Sequence, residues 1–280
     1  MTQGTRKWLT ALLMAVCIFS TFMFLRQQLD NSNGNEAYES ALEVATSQTT
    51  PPAKPVVMQA EAAEIPETTA SPEPIWIPAP LEEEDPYIRK LGDIDLAALQ
   101  EKNPDVLGWI FLPDSKINYP ILQGEDNEYY LKHTWDGVPN SVGSIFMEAR
   151  NTPDFSDFNT ILYGHNMGNG SMFAHLHRYY NHTYWEKHPY VYLLNADGIF
   201  RYEIFSSYKA EVDSSTYGLS FHQTETRVNF LEAAIENSDI DTGIEPSVTD
   251  RILTLSTCSG SGYDTRRVVH ARLVMIQAEP

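Results

Sequence analysis

Cysteine is nearly absent from this 280-residue chain: there are two, Cys17 and Cys258. Cys17 falls in an uncharged apolar run near the N-terminus, so the remainder cannot form an internal disulfide, which excludes a disulfide-stapled scaffold. Basic charge is also scarce. Lys and Arg number 19 against 38 Asp and Glu, a formal net charge of −19. A phosphate-binding surface needs the opposite balance, so nucleic acid is excluded as a partner. No strand–glycine–helix phosphate loop occurs, which argues against a nucleotide enzyme. His175 and His177 stand two apart without Cys, Asp or Glu at ligand spacing, and Asp114, Asp126, Asp136 and Glu148 are scattered. Neither pattern makes a metal site, and no cofactor is expected. No internal repeat is visible.

What is present divides the chain in three. Residues 8–25 carry no charge and as a helix span about 27 Å, close to the hydrocarbon thickness of a bilayer. Arg6 and Lys7 precede the run, and an acidic stretch follows Arg26. That asymmetry predicts a single-pass anchor (residues 1–29, cytoplasmic tip and transmembrane helix) with the rest of the chain outside the cell membrane. No small-residue cleavage site follows the run, so a signal peptide is the weaker reading. Cys17 then reads as a small apolar residue in lipid. Residues 30–85 contain eight prolines, from Pro51 to Pro80, and many acidic side chains, with a ninth proline following at Pro86. They predict a disordered acidic stalk, with Ile75, Trp76 and Ile77 as its one apolar cluster. Residues 86–280 are aromatic-rich and long enough for one hydrophobic core.

That last segment reads as many short strands with few helices. Strands are expected at 106–111, 117–122, 143–147 and 159–163, with Pro120 marking an edge. A hairpin is expected over 190–194 and 199–207, turning at Asn195 to Gly198. Helices are expected at 94–102, capped by Asp93 or Asp95, at 171–180 and at 224–238. A mainly β, closed mixed barrel with added helices explains this pattern best.

Cys258 ends a strand-like run, RILTLST at 251–257, and opens a Ser-Gly-Ser-Gly turn. A thiol at a strand end beside a loop is well placed for nucleophilic chemistry, whereas a buried thiol would be structural. Its ordinary pKa of about 8.5 leaves little thiolate at neutral pH, so a basic or cationic neighbour is needed. His165 is the leading partner, because it too follows a strand and sits beside Gly164 and Gly168. His270 lies within a strand and reads as structural. Arg266 and Arg267 begin the next strand and point to opposite faces. One of them can support a developing oxyanion, and composition does not say which.

These residues carry a resemblance. TLSTC at 254–258, Arg266 before Val268 and Val269, and YGHNM at 163–167 resemble the active-site signature of sortases, in detail of class B. NPDVLGWI at 103–110, YPILQG at 119–124 and GSIF at 143–146 are similar to the family as well. The resemblance covers residues 91–273 and implies a β-barrel of about eight strands with added helices. It implies Cys258 as nucleophile, His165 as its imidazole partner and Arg266, not Arg267, as the active-site arginine. Position 260, acidic in some class B members, is Gly here. The implied activity is cysteine transpeptidation at a Gram-positive cell surface. Secreted proteins with a C-terminal sorting motif are the expected substrates, cleaved after Thr. An amine of a peptidoglycan cross-bridge or a pilin lysine is the expected acceptor, and membrane lipid holds the N-terminal helix. A cysteine endopeptidase using water and a non-catalytic cell-wall binding domain are the alternatives.

Overall fold

The computed structural model describes residues 3–47, 85–258 and 264–277. Eight strands close into a barrel in the order β1-β2-β3-β4-β7-β8-β6-β5. They are β1 (Val106–Phe111), β2 (Asn118–Leu122), β3 (Ile145–Met147), β4 (Asn159–Tyr163), β5 (Tyr190–Asn195), β6 (Gly198–Glu211), β7 (Ile252–Cys258) and β8 (Thr265–Gln277). Two pairings are parallel, β2 with β3 and β4 with β7; the rest are antiparallel. The expected hairpin is β5–β6, with β6 running on to Glu211. Pro120 pairs with Trp109 inside the closed sheet, so it is not on an edge strand. It is tolerated because β3 pairs only with Ile121 and Leu122, leaving Pro120 beyond that ladder where no donor is required.

Helices cover the barrel. The helix α1 (Gln3–Thr46) is followed by α2 (Pro86–Gly92), α3 (Leu96–Gln100), α4 (His182–Lys187) and α5 (Thr224–Glu236). Asp85 caps α2 by accepting from the Tyr87 amide at 3.0 Å, with Pro86 at the first helical position. Asp95, not Asp93, caps α3. The segment expected as a helix over 171–180 is a 3-10 helix, Phe173–Tyr180. From α5, Phe230, Leu231 and Ala234 pack with Phe205, Phe221, Ile252 and Val268 in a second apolar cluster outside the barrel. Full burial of a side chain such as Phe230 or Leu231 contributes about 1.5–3 kcal/mol.

One boundary differs from expectation. The helix does not end near Asp30: α1 runs on to Thr46, and its second half is docked on the barrel. Tyr38, Ala41 and Ala45 are buried in the main core, with Ala37 and Val44 packed beside them. These positions recur every three or four residues, an apolar stripe on a half of the helix that is otherwise mostly polar. At Gly34 the approach is close: an added Cβ would lie 2.6 Å from Val142 Cγ2. The end of α1 is tied to the start of α3, where the Asp95 amide donates to the Ala45 carbonyl at 2.7 Å. The first half of α1 is different. From Leu12 to Leu25 its large apolar side chains are exposed, and the helix is long and apolar enough to cross a membrane. The physical link between that run and the barrel is therefore α1 itself. The expected apolar cluster at Ile75, Trp76 and Ile77 lies outside the described residues.

Candidate active site

Register builds the site. In the parallel β4–β7 ladder Tyr163 pairs with Ser256. His165 and Cys258 each stand two residues beyond that pair, on neighbouring strands running the same way. The Gly164 amide extends the ladder by donating to the Ser256 carbonyl at 3.2 Å. In the antiparallel β7–β8 ladder Cys258 pairs with Arg266 and Thr257 with Arg267. One end of the barrel thus gathers the backbone of Cys258, the imidazole of His165 and the guanidinium of Arg266.

A cleft of about 380 Å³ opens there, and His165, Arg266, Ser256 and Thr257 contribute to its wall with Asn127, Leu131, Tyr163 and Tyr217. His165 is half-buried. Its Nε2 lies 2.8 Å from the Leu131 carbonyl. A carbonyl only accepts, so Nε2 carries the hydrogen and donates. Arg267 takes the opposite course. It is 4% exposed and its guanidinium pairs with Asp239 on the barrel's flank, away from His165.

Glu148 sits in the floor of the cleft, although its sequence context shows only a scattered carboxylate. It is 2% exposed and accepts from Asn127 Nδ2 at 2.7 Å, Arg150 Nε at 2.7 Å and the Tyr163 hydroxyl at 3.1 Å. Burial alone would raise its pKa. The hydrogen bonds from Arg150, Asn127 and Tyr163 outweigh that and hold the carboxyl below its ordinary value. Burial, then the neighbouring Glu148 charge, pushes the Tyr163 hydroxyl far upward, so it stays a donor at neutral pH. The Tyr217 and Ser256 hydroxyls meet at 3.0 Å across the wall. Ser256 and Tyr163 were findable from sequence, since each precedes a candidate residue by two, the period of a strand face. Tyr217 ends a short 3-10 helix and Asn127 comes from a loop, and neither carries such a signal.

The other histidines take no part in the cleft wall. His175 Nδ1 accepts the Lys116 amide at 2.9 Å. His270 is fully buried between the Thr254 hydroxyl at 2.9 Å and the Tyr208 hydroxyl at 3.1 Å. Burial drives its pKa down to about 3, so it is neutral; it is a structural histidine.

A mixed eight-stranded barrel with a strand-end cleft of this composition matches a known domain. The family model for the sortase domain matches residues 110–274. The chain is 38% identical to sortase B of Listeria monocytogenes over 182 residues, which is 64% of this chain and 74% of that protein. It is 35% identical to sortase B of Staphylococcus aureus over 181 residues, again 64% and 74% of the two chains. Among solved structures, the Staphylococcus aureus sortase B–substrate complex superposes with a TM-score of 0.62 at 34% identity, covering 65% of this chain and 85% of that one. A Bacillus anthracis sortase B structure gives 0.60 at 38% identity, covering 65% and 83%. The chain belongs to the sortase family. Its relatives place it in class B, and it is a sortase-type cysteine transpeptidase.

Proposed function

We propose that this transpeptidase cleaves secreted proteins at a C-terminal sorting motif, of the Asn-Pro-x-Thr-Asn or Pro-x-Thr-Gly kind. Cleavage follows the Thr, and the acyl group passes to an amine of the peptidoglycan cross-bridge or to a pilin lysine. Cys258 is the nucleophile, His165 the proton carrier and Arg266 the charge stabiliser. The observation that carries this reading is the shared register: residues 165 and 258 stand equally far beyond the Tyr163–Ser256 pair, with Arg266 across the ladder from Cys258. In the first step the Cys258 thiolate bonds to the Thr carbonyl carbon while the Arg266 guanidinium supports the oxyanion. The peptide C–N bond breaks, and imidazolium His165 gives its proton to the departing amine, leaving a thioester. The incoming amine then attacks the thioester, neutral His165 takes its proton, and the thiolate leaves. Because Nε2 is held on the Leu131 carbonyl, the exchanged proton travels through Nδ1.

The choice of substrate and acceptor draws support from Staphylococcus aureus sortase B, solved as a substrate complex, and from a sortase B solved with triglycine. The test is a panel of sorting peptides incubated with and without triglycine and read by mass. Transfer product that grows with triglycine supports transpeptidation. Hydrolysis unaffected by any amine would make this protein an endopeptidase. The exposed apolar half of α1 and the Arg6–Lys7 flank support a single-pass membrane anchor with the barrel outside the cell. Protease added to intact protoplasts should then degrade or release the barrel; full protection would reverse the orientation.

A further inference from the structure

The docked half of α1 reaches both sides of the loop that holds His165, one side directly through Tyr38 and the other by way of Tyr119. On one side is the turn at Gly143 and Ser144. The Tyr38 hydroxyl donates to the Gly143 carbonyl at 2.5 Å and lies 3.1 Å from Ser144 Oγ. Gly143 has φ +61°, and a Cβ there would lie 3.0 Å from His165 Cδ2 and 2.7 Å from the Leu131 carbonyl oxygen. The imidazole therefore rests on the bare Cα of Gly143, and the carbonyl that holds its Nε2 is part of the same surface. The Ser144 amide and hydroxyl fasten that surface further, to the carbonyls of Tyr130 and His133 at 2.8 Å each.

On the other side is the return of the loop. The Tyr38 ring packs edge-on against Tyr119 with centroids 5.1 Å apart. The Tyr119 hydroxyl accepts the Met172 amide at 3.2 Å. Met172 has φ +53° and bridges to Asn166, next to His165. The following amide, Phe173, donates to the His165 carbonyl at 2.9 Å. One buried tyrosine thus fixes the bed beneath the imidazole and, through Tyr119, the backbone that carries it.

We propose that Tyr38 is a positioning residue for the transpeptidation: α1 is a clamp that sets the imidazole of His165 for proton transfer. The proposal rests on the reading of His165 as the proton carrier. It makes the helix assigned to membrane anchoring a working part of the active site.

The experiment uses the full chain in detergent micelles, with a cleavable sorting peptide and triglycine. Tyr38→Phe keeps the ring and its core packing and removes only the hydroxyl. We expect kcat to fall about tenfold, within the range for misplaced catalytic groups, while KM stays within about twofold. Imidazole-ring NMR signals of His165 should shift, while those of buried His270 stay in place as an internal control. Tyr119→Phe, which releases the Met172 side alone, should produce a smaller loss of the same kind. Unchanged kcat and unchanged His165 signals in Tyr38→Phe would overturn the proposal. So would signals of His165 and His270 moving together with a lowered Tm, since that marks general loosening. Full activity in His165→Ala would overturn the proton-carrier reading and the clamp with it, and that variant tells the two failures apart.

Discussion

The adjacent arginines Arg266 and Arg267 should fail in opposite ways when truncated. Arg266 lines the cleft beside His165, so Arg266→Ala should remove oxyanion support worth about 3–4 kcal/mol, or about 10²–10³ in kcat/KM. Arg266→Lys should recover part of that, because an ammonium lacks the forked guanidinium geometry. The fold should be little affected. Arg267 is 4% exposed and pairs with Asp239, whose side chain is 43% exposed. Breaking a fully buried ion pair costs about 3–5 kcal/mol. Here water can reach the stranded Asp239, so about 2 kcal/mol is the better figure. In a domain of this size that corresponds to a Tm drop of about 4–8 °C. The chemistry per folded molecule should be nearly intact. The assay is thermal melting and steady-state kinetics on both variants, with the active fraction counted by thiol titration. A crippled Arg267→Ala with unchanged Tm, beside an active but unstable Arg266→Ala, would show that the two side chains are assigned to the wrong faces.

Gly34→Ala sets two effects against each other. Helix propensity gains about 1 kcal/mol, but the new Cβ would sit 2.6 Å from a Val142 side chain that is fully buried, and overpacking of that kind costs about 1–3 kcal/mol. The Tm should fall or at best hold, and a clear rise would contradict the close docking of α1. His270, neutral in the fold with a pKa near 3 against an ordinary 6.5, contributes stability that is present above pH 6.5. That stability is lost as pH falls toward 3, because the unfolded chain binds the proton first. His270→Gln should remove up to about 1.4 kcal/mol per pH unit of the acid-side slope, read from urea midpoints between pH 4 and pH 7; an unchanged slope would count against this.

The strands were legible because their apolar runs are short, bounded by turn residues and buried on the inner face. The place of the candidate site in the fold was legible because its residues fall at strand ends, where a local motif and a structural position coincide. The docked half of α1 was not. Its composition, rich in Asn, Glu and Ala, resembles a solvated linker, and the signal lay in the spacing of Gly34, Tyr38, Ala41 and Ala45. Apart from Tyr38 these residues are small and bury little area each, so a composition-based reading passes over them. Pro120 misled for a related reason: a proline reports a missing donor, and a closed barrel can contain such a place where a short parallel partner begins late. Glu148 could not be placed from sequence, since its partners Asn127, Arg150 and Tyr163 converge only in the fold. The residue pattern alone left Arg266 and Arg267 open; the resemblance singled out Arg266, and the register of β8 against β7 sets that residue opposite Cys258.

The central claim is that Cys258 forms the acyl-enzyme. Intact-protein mass spectrometry on full-length protein given a cleavable sorting peptide without an amine acceptor tests it most directly. Wild type should gain the mass of the peptide's acyl portion up to Thr, and triglycine should discharge it. Cys258→Ala should show no adduct and no cleavage while keeping its melting temperature, since truncating one small side chain leaves at most a small cavity. An acyl adduct that persists in Cys258→Ala, or turnover by that variant, would contradict the account.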